Sequence, residues 1–297
     1  MLIKAHRLLS ACIQLAELSG NIIKSVHSDG ALQTVYKGHN DPCTVADINA
    51  QKIIMGTLYN LFPGINIIGE EQVELAESDI KQVNLDLIPE EIFPAELRDL
   101  DINKLVLWVD PLDGTYNFTI GELIGVTTLI GIAYESNAIM GIIHHPFADR
   151  SPTYWGGLGI GIHSCFGDFN ENSFIKPNDF SVVQTKHWQI PHGEAFFKTL
   201  NAERNLYADG TGYDSVLVIS GNASTYVFNR ELTSKWDTCA GDGILQGIGG
   251  FVTDLNGQKI LYDKDQPIKN KDGVVMSSKR EDAQRVIEAW REFNSQN

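Results

Sequence analysis

Cysteine is scarce in this chain. Four are spread over 297 residues, at Cys12, Cys43, Cys165 and Cys239, and no two stand as Cys-x-x-Cys. That spacing argues against a disulfide framework or a cysteine zinc site, and makes reduced thiols in the cytoplasm the expectation. Base is short as well: 23 Lys and Arg stand against 38 Asp and Glu, a formal charge of −15. Such a chain is not built to take a nucleic acid polymer as its main partner. A small phosphate ester stays open, because metal ions can invert the local charge of a site. No run of 18 apolar residues occurs, so no membrane-spanning helix is expected. No internal repeat or low-complexity tract interrupts the chain.

What is present is 43% apolar and 21% charged, the make-up of a globular protein with one large domain or two ordinary ones. Leu2, Leu9, Ile13, Leu18 and Ile22 fall at helical spacing. Two readings stand here, an amphipathic first helix or a transit peptide, and the lack of a cleavable small-residue site favours the helix. Residues 41–64 read as a second helix, with Thr44 as N-cap and Pro63-Gly64 as the stop. INIIGEE (65–71) is a short strand ending in two glutamates. The acidic stretch 74–101 reads as a solvated helical excursion or loop. TTLIGIAYESNAIMGIIHHP predicts a hairpin turning at Ser136-Asn137, and TYWGGLGIGIHSCF two more strands or one bent one. Residues 1–168 are thus expected to place two helices on a largely antiparallel sheet. Residues 169–297 read as a smaller α/β unit: strands in FSVVQTKH and ASTYVF, helices in TGYDSVLVISG, WDTCAGDGILQGIGG and EDAQRVIEAWREFN.

Several segments end an apolar run in acid: Glu70-Glu71, then Asp110 and Asp113 in WVDPLDGT, then Asp237 in KWDTCAG, with Asp47 in TVAD. Each has a plain reading alone. Asp47 can complete a capping box begun by Thr44, Asp237 can cap the helix after it, and Asp-Pro-Leu-Asp can be a turn. Together they suggest a hard cation. Mg²⁺ takes oxygen ligands, and no histidine or cysteine cluster competes for zinc. Converging buried carboxylates repel one another, a cost that bound cations remove. Gly114 lets the backbone turn close to a ligand, and the N–H groups of Gly114 and Thr115 can face a phosphate. The Thr115 hydroxyl both donates and accepts, so it can orient an attacking water. Metal-assisted phosphoester hydrolysis is the chemistry these groups suit.

DPLDGT (110–115), GEE (69–71) and WDTCAGDGILQGIGGFVTDLNG (236–257) resemble the magnesium-dependent, lithium-sensitive phosphatases of the inositol monophosphatase superfamily. WVDPLDGT, LIGIAYE, KWDTCA and ASTYVF are most similar to its 3'(2'),5'-bisphosphate nucleotidase branch, with inositol polyphosphate 1-phosphatases nearby. The resemblance covers nearly the whole chain. It implies a layered αβαβα sandwich of two domains, 1–168 and 169–297, with the site between them. It implies two or three Mg²⁺ ions. Glu70, Asp110 and the Leu112 carbonyl would hold the first, and Asp110, Asp113 and Asp237 the second. Asp47 and Thr115 would activate the water, with Glu71 behind the ligands or near a third ion. Gly114, Thr115, Gly210, Gly212, Asp214 and Asp237 would meet the substrate.

The implied substrate is adenosine 3',5'-bisphosphate, cleaved at its 3'-phosphate to AMP, with the 1-phosphate of inositol 1,4-bisphosphate as a further target. The alternatives are an inositol (poly)phosphate 1-phosphatase, a sugar bisphosphatase, or a phosphate-binding module without turnover. Two departures matter. Asp214 in GTGYDS stands where animal nucleotidases carry lysine, so Lys186, His187, Arg230 and Lys235 are the candidates to offset it. Asn229 in YVFNR replaces the ring-binding glutamate of the monophosphatases. A cytoplasmic enzyme, monomer or homodimer, acting on a small phosphorylated metabolite, is the overall expectation.

Overall fold

The structure is a computed structural model, and it describes residues 1–38, 41–150, 152–164, 177–186 and 191–296, without the side chains of 191 and 192. Helices α1 (Ala5–Asp29) and α2 (Val45–Leu61) lie on one face of a six-stranded sheet. Its spatial order is Gly161–Ser164, Thr153–Gly157, Asn137–His144, Thr127–Tyr134, Leu105–Asp113, Asn66–Gly69. All neighbours are antiparallel except the last pair. A short helix α3 (Thr115–Ile120) follows the strand Leu105–Asp113. The second sheet has five strands, in the order Arg204–Ala208, Ser181–Thr185, Thr225–Phe228, Val274–Ser277, Phe251–Thr253. It is mixed, with parallel pairs on one side and antiparallel pairs on the other.

Helices α5 (Thr211–Ile219) and α6 (Lys235–Gln246) fill the space between the two sheets, and α4 (Pro191–Thr199) and α7 (Arg280–Gln296) cover the far face of the second. The order of layers is αβαβα, as the resemblance implied. Helix α6 belongs to the second half of the chain yet packs across five strands of the first sheet. Glycine permits that approach: a Cβ at Gly131 would come within 2.4 Å of Cys239, and one at Gly141 within 1.9 Å of the Ala240 carbonyl.

The strand Leu105–Asp113 is buried along its whole length because both faces are covered. Its period of two sends Leu105, Leu107 and Val109 into the core under α1 and α2, and Val106 and Trp108 into the core that includes Cys239 and Ala240 of α6. The Trp108 indole N–H donates to the Tyr262 carbonyl at 3.1 Å, which satisfies the one polar atom of a fully buried ring.

Some local expectations change. The hairpin turns one residue earlier than expected, at Glu135 and Ser136, both at positive φ (48° and 67°). The stretch 74–101 is loop, short 3₁₀ turns and a final strand (Asp99–Asp101) paired with Leu2–Lys4, and it is not solvated throughout, because Ile88, Phe93 and Leu100 join the core under α1. The second helix starts only at Val45, since residues 41–43 pair as a strand with Val35–Gly38. The strands Arg204–Ala208, Phe251–Thr253 and Val274–Ser277 and the helix α4 had no clear signal in the sequence. The residues His187 and Cys165, at the ends of two expected strands, lie outside the described residues.

Candidate active site

Strand alternation carries Asp110 onto the same face as Val106 and Trp108, the face that meets α6. Strict alternation would then send Asp113 the other way. The register with the next strand slips here: Asp110 pairs with Leu129, but Asp113 pairs with Thr127. Three steps on one strand match two on the other, a bulge with Pro111 inside it. The bulge re-aims Asp113 so that both carboxylates face α6. Asp237, in the first turn of that helix, completes the group: carboxylate oxygens of Asp110, Asp113 and Asp237 all lie within 4.8 Å of one another.

Each carboxylate is held by the backbone around it. The Leu112 N–H donates to Asp110 Oδ1 at 3.0 Å. Asp113 Oδ2 accepts from the Gly212 N–H at 2.8 Å and from Thr127 Oγ1 at 3.2 Å. The Ser234 N–H donates to Asp237 Oδ2 at 2.5 Å. Ser234 is therefore the N-cap of α6, and Asp237 is the third residue, reaching back to it, rather than the cap itself. Glu70 arrives by parallel pairing, its N–H bonded to the Val109 carbonyl at 3.0 Å, which sets it beside Asp110.

Asp47 serves two partners at once. Its Oδ2 closes the capping box of α2, accepting from the Thr44 N–H at 2.7 Å and Thr44 Oγ1 at 2.5 Å. Its Oδ1 faces the other way and accepts from Thr115 Oγ1 at 2.9 Å. The Thr115 hydroxyl also lies 2.8 Å from the Leu112 carbonyl. The two plain alternatives for Asp47 were a cap or a reacting group, and the geometry accommodates both. Gly114, at φ 81°, turns the chain into α3, and a Cβ there would meet the Gly125 carbonyl at 3.1 Å.

Electrostatics mark the same groups. Burial, with Glu70, Asp113 and Asp237 alongside, pushes the Asp110 carboxyl well above its ordinary range. Burial raises Asp113 to about 6 against the donors that hold it. Burial followed by Asp113 and Glu70 raises Asp237 well above the usual range. Asp47 is pushed up to about 7 by burial, despite its bonds from Thr44 and Thr115. A cluster with this much mutual repulsion fits a hard cation: its donors are all oxygen, close together, and anionic. One cation from the chain already occupies its edge. Lys37 Nζ lies 2.9 Å from Glu70 Oε1 and 2.5 Å from Glu71 Oε1. Burial alone would lower the Lys37 ammonium, but the two glutamates outweigh it and hold it above its ordinary value. Glu71 is buried, and its backbone is clasped by the Gln51 side-chain amide.

Lys37, Glu70, Asp110, Asp113, Thr115 and Asp237 line a cleft of about 670 Å³ together with Leu112, Gly114 and Gly210, and Asp47 and Glu71 stand behind this lining. Thr185, Phe228, Leu232, Trp236 and Lys269 line it too, and none of these was foreseen. Trp236 adjoins Asp237 in sequence, which was the available signal, while the others reach the cleft only through the second sheet and a loop.

The remaining expected contacts are not brought together. Lys186 pairs with Glu122 at 3.3 Å on the surface. Lys235 lines a separate cavity, and His187 lies outside the described residues. Gly212 directs its N–H to Asp113 rather than to the cleft. Asp214 does not line the cleft. It is 0% exposed, with no hydrogen-bond partner on either oxygen, and burial raises its carboxyl well above the ordinary range. Closed off from the cleft, this carboxyl does not face a bound substrate as its sequence position suggested.

Known proteins resemble this chain over nearly its whole length. Residues 4–294 match the model of the inositol monophosphatase family. The 3'(2'),5'-bisphosphate nucleotidase 1 of Dictyostelium discoideum is 36% identical over 91% of this chain and 92% of its own length. The human protein of the same name is 34% identical over 95% of both chains. Among solved structures, the extragenic suppressor protein suhB from Bartonella henselae superposes with a TM-score of 0.70 at 19% identity, covering 96% of this chain and 98% of that one. The bulged strand, the converging carboxylates and the match over almost every residue place this chain in the inositol monophosphatase family.

Proposed function

We propose that this chain is a magnesium-dependent phosphomonoesterase that removes the 3'-phosphate of adenosine 3',5'-bisphosphate, giving AMP and inorganic phosphate. The observation that carries the hydrolytic reading is the 2.9 Å bond between Thr115 Oγ1 and Asp47 Oδ1, set beside the three-carboxylate cluster. The nucleotide preference rests on the 34–36% identity to proteins named for that activity.

Asp110, Asp113, Asp237, Glu70 and the Leu112 carbonyl are the groups that would hold two or three Mg²⁺. Bound there, magnesium would offset phosphate charge and act as a Lewis acid on the phosphoryl group. The chain's own residues do the rest. The Thr115 hydroxyl has one proton and two nearby acceptors. The Asp47 carboxylate is the stronger acceptor and takes that proton in its hydrogen bond. A lone pair on Thr115 Oγ1 is then free to accept a hydrogen bond from the attacking water, fixing its direction. Gly212, Thr127 and Ser234 keep Asp113 and Asp237 in place, so little reorganisation is needed as substrate binds. Phe228 and Trp236 on the wall of the cleft suit a flat base, and Lys37 and Lys269 supply its positive charge.

A second reading is favoured by one residue. Asp214 stands where the nucleotidases carry a lysine, so the site has less positive charge for a second nucleotide phosphate. That favours, at the same cleft, an inositol phosphate that places no second phosphate at this position. Phosphate release from the nucleotide, inositol 1,4-bisphosphate and fructose 1,6-bisphosphate, with and without Mg²⁺ and with added Li⁺, separates the readings. The nucleotide should have the highest kcat/KM, with activity lost when Mg²⁺ is removed and reduced by Li⁺. A higher kcat/KM for the inositol phosphate would transfer the proposal to that substrate, and turnover undiminished by metal removal would refute it. Three described cysteines are free and buried, and no described helix is long and apolar enough to cross a membrane. A reducing, cytoplasmic setting is the proposal consistent with the thiols.

A further inference from the structure

A second cavity, of about 260 Å³, lies behind the start of α6. Lys235, Lys259, Lys269 and Lys271 all line it, a concentration of base in a chain of formal charge −15. None of the four is within ion-pair distance of a carboxylate among the described residues. Lys259 Nζ donates to the neutral Asn137 Oδ1 at 2.6 Å. Lys235 is 5% exposed, and its ammonium lies 5.9 Å from the centroid of the Trp108 ring. An ammonium that meets solvent only through this cavity, with no carboxylate at ion-pair distance, is one that an anion in the cavity would stabilise.

Two aspartates share the lining, Asp254 and Asp272, and Asp263 is close enough to act on Lys235. They leave an excess of base, with four ammonium groups against two carboxylates in the lining and a third nearby. Asp254 Oδ1 is already committed to the N–H groups of Asn256 and Gln258, each at 2.8 Å. Asp263 accepts from Ser136 Oγ at 3.2 Å.

We propose that this cavity binds a small tetrahedral oxyanion, either free sulfate or phosphate or the terminal group of a phosphorylated metabolite, at a site separate from the catalytic cleft. Its position gives such a ligand a route to the cleft. The segment that carries Lys269 is stitched to the start of α6: the Lys235 N–H bonds the Ile268 carbonyl at 2.9 Å, the Asn270 N–H bonds the Thr233 carbonyl at 2.9 Å, and Ser234 pairs with Lys269 as a β-bridge. Ser234 in turn holds Asp237, and Lys269 lines both cavities.

The test uses the whole chain stripped of metal with EDTA, a state in which the acidic cleft repels anions. Sulfate is titrated at constant ionic strength, with intrinsic tryptophan fluorescence as the readout. Trp108 lies under Lys235, and its ring centroid is 6.5 Å from that of Trp236. The expected result is a saturable change, weakened about tenfold or more in a Lys259→Ala/Lys271→Ala variant, because each lost lysine removes a charge-assisted contact. Both lysines are exposed, so the variant keeps its fold and its melting temperature. A parallel titration with glycerol 3-phosphate distinguishes the sources: tighter binding than sulfate assigns the site to phosphomonoesters, and weaker binding assigns it to the free ion. No saturable change with either probe, or equal dissociation constants in the parent and the variant, would overturn the proposal.

Discussion

Thr115→Val removes one oxygen and replaces it with a methyl group of nearly the same size. The structure says what is lost. Thr115 Oγ1 lies 2.9 Å from Asp47 Oδ1 and 2.8 Å from the Leu112 carbonyl. Asp47 keeps its two bonds to Thr44, so the cap of α2 survives. The fold should therefore lose only about 1 kcal/mol, the worth of one net hydrogen bond. The catalytic loss is larger, because the hydroxyl is the group proposed to aim the water. Positioned proton-transfer groups contribute about 10²–10⁴-fold, or roughly 3–5 kcal/mol of barrier at about 1.4 kcal/mol per tenfold. Phosphate release at saturating Mg²⁺ should show kcat down by that factor with KM little changed. Thr115→Ser retains the oxygen and should recover most of kcat. Normal kcat with a raised KM would make Thr115 a binding residue, and equal losses in the Val and Ser variants would show that the hydroxyl is not the active element.

The other expectations are briefer. Asp110→Asn keeps the volume and removes a ligand charge, so turnover should collapse while the melting temperature holds; ordinary activity at ordinary Mg²⁺ would refute the metal assignment. Gly212→Ala would place a Cβ 2.1 Å from Thr127 Oγ1, so the start of α5 must shift off Asp113. It should cost about 1–3 kcal/mol of stability and raise the Mg²⁺ needed for half-maximal rate, and an unchanged Mg²⁺ requirement would deny Gly212 its hold on the ligand. Burial pushes the Asp242 carboxyl up to about 6, although Gln246 donates to it at 2.7 Å. The folded state then binds this proton more tightly than the unfolded chain does, so stability falls as pH rises from about 4 to 6. Asp242→Asn should raise the melting temperature more at pH 7.5 than at pH 4, and a gain independent of pH would count against the shift.

Much of the site was written in local sequence. The acids at 70, 110, 113 and 237 each follow an apolar run or open a helix, and the spacing of such runs is a local property. Thr44 followed by Asp47 is a capping box wherever it occurs, and Gly114 is a turn wherever positive φ is required. Charge and the scarcity of cysteine excluded other chemistries before any fold was considered.

What the sequence by itself determined, then, was which residues stand as candidates for the proposed chemistry and which elements they sit on. Only the tertiary structure decided which way they face. Alternation alone would have sent Asp110 and Asp113 to opposite faces, and the bulge paired against Thr127 and Leu129 brought them together. The same dependence explains the misplaced substrate contacts. Lys235 is two residues from Asp237, but the first turn of a helix points such neighbours in different directions, and Lys235 entered another cavity. Asp214 looked like a charge on the substrate, but the layer of helices between the two sheets sealed it from the cleft. Side-chain direction and burial arise from contacts between segments far apart in the chain, and no local pattern encodes them.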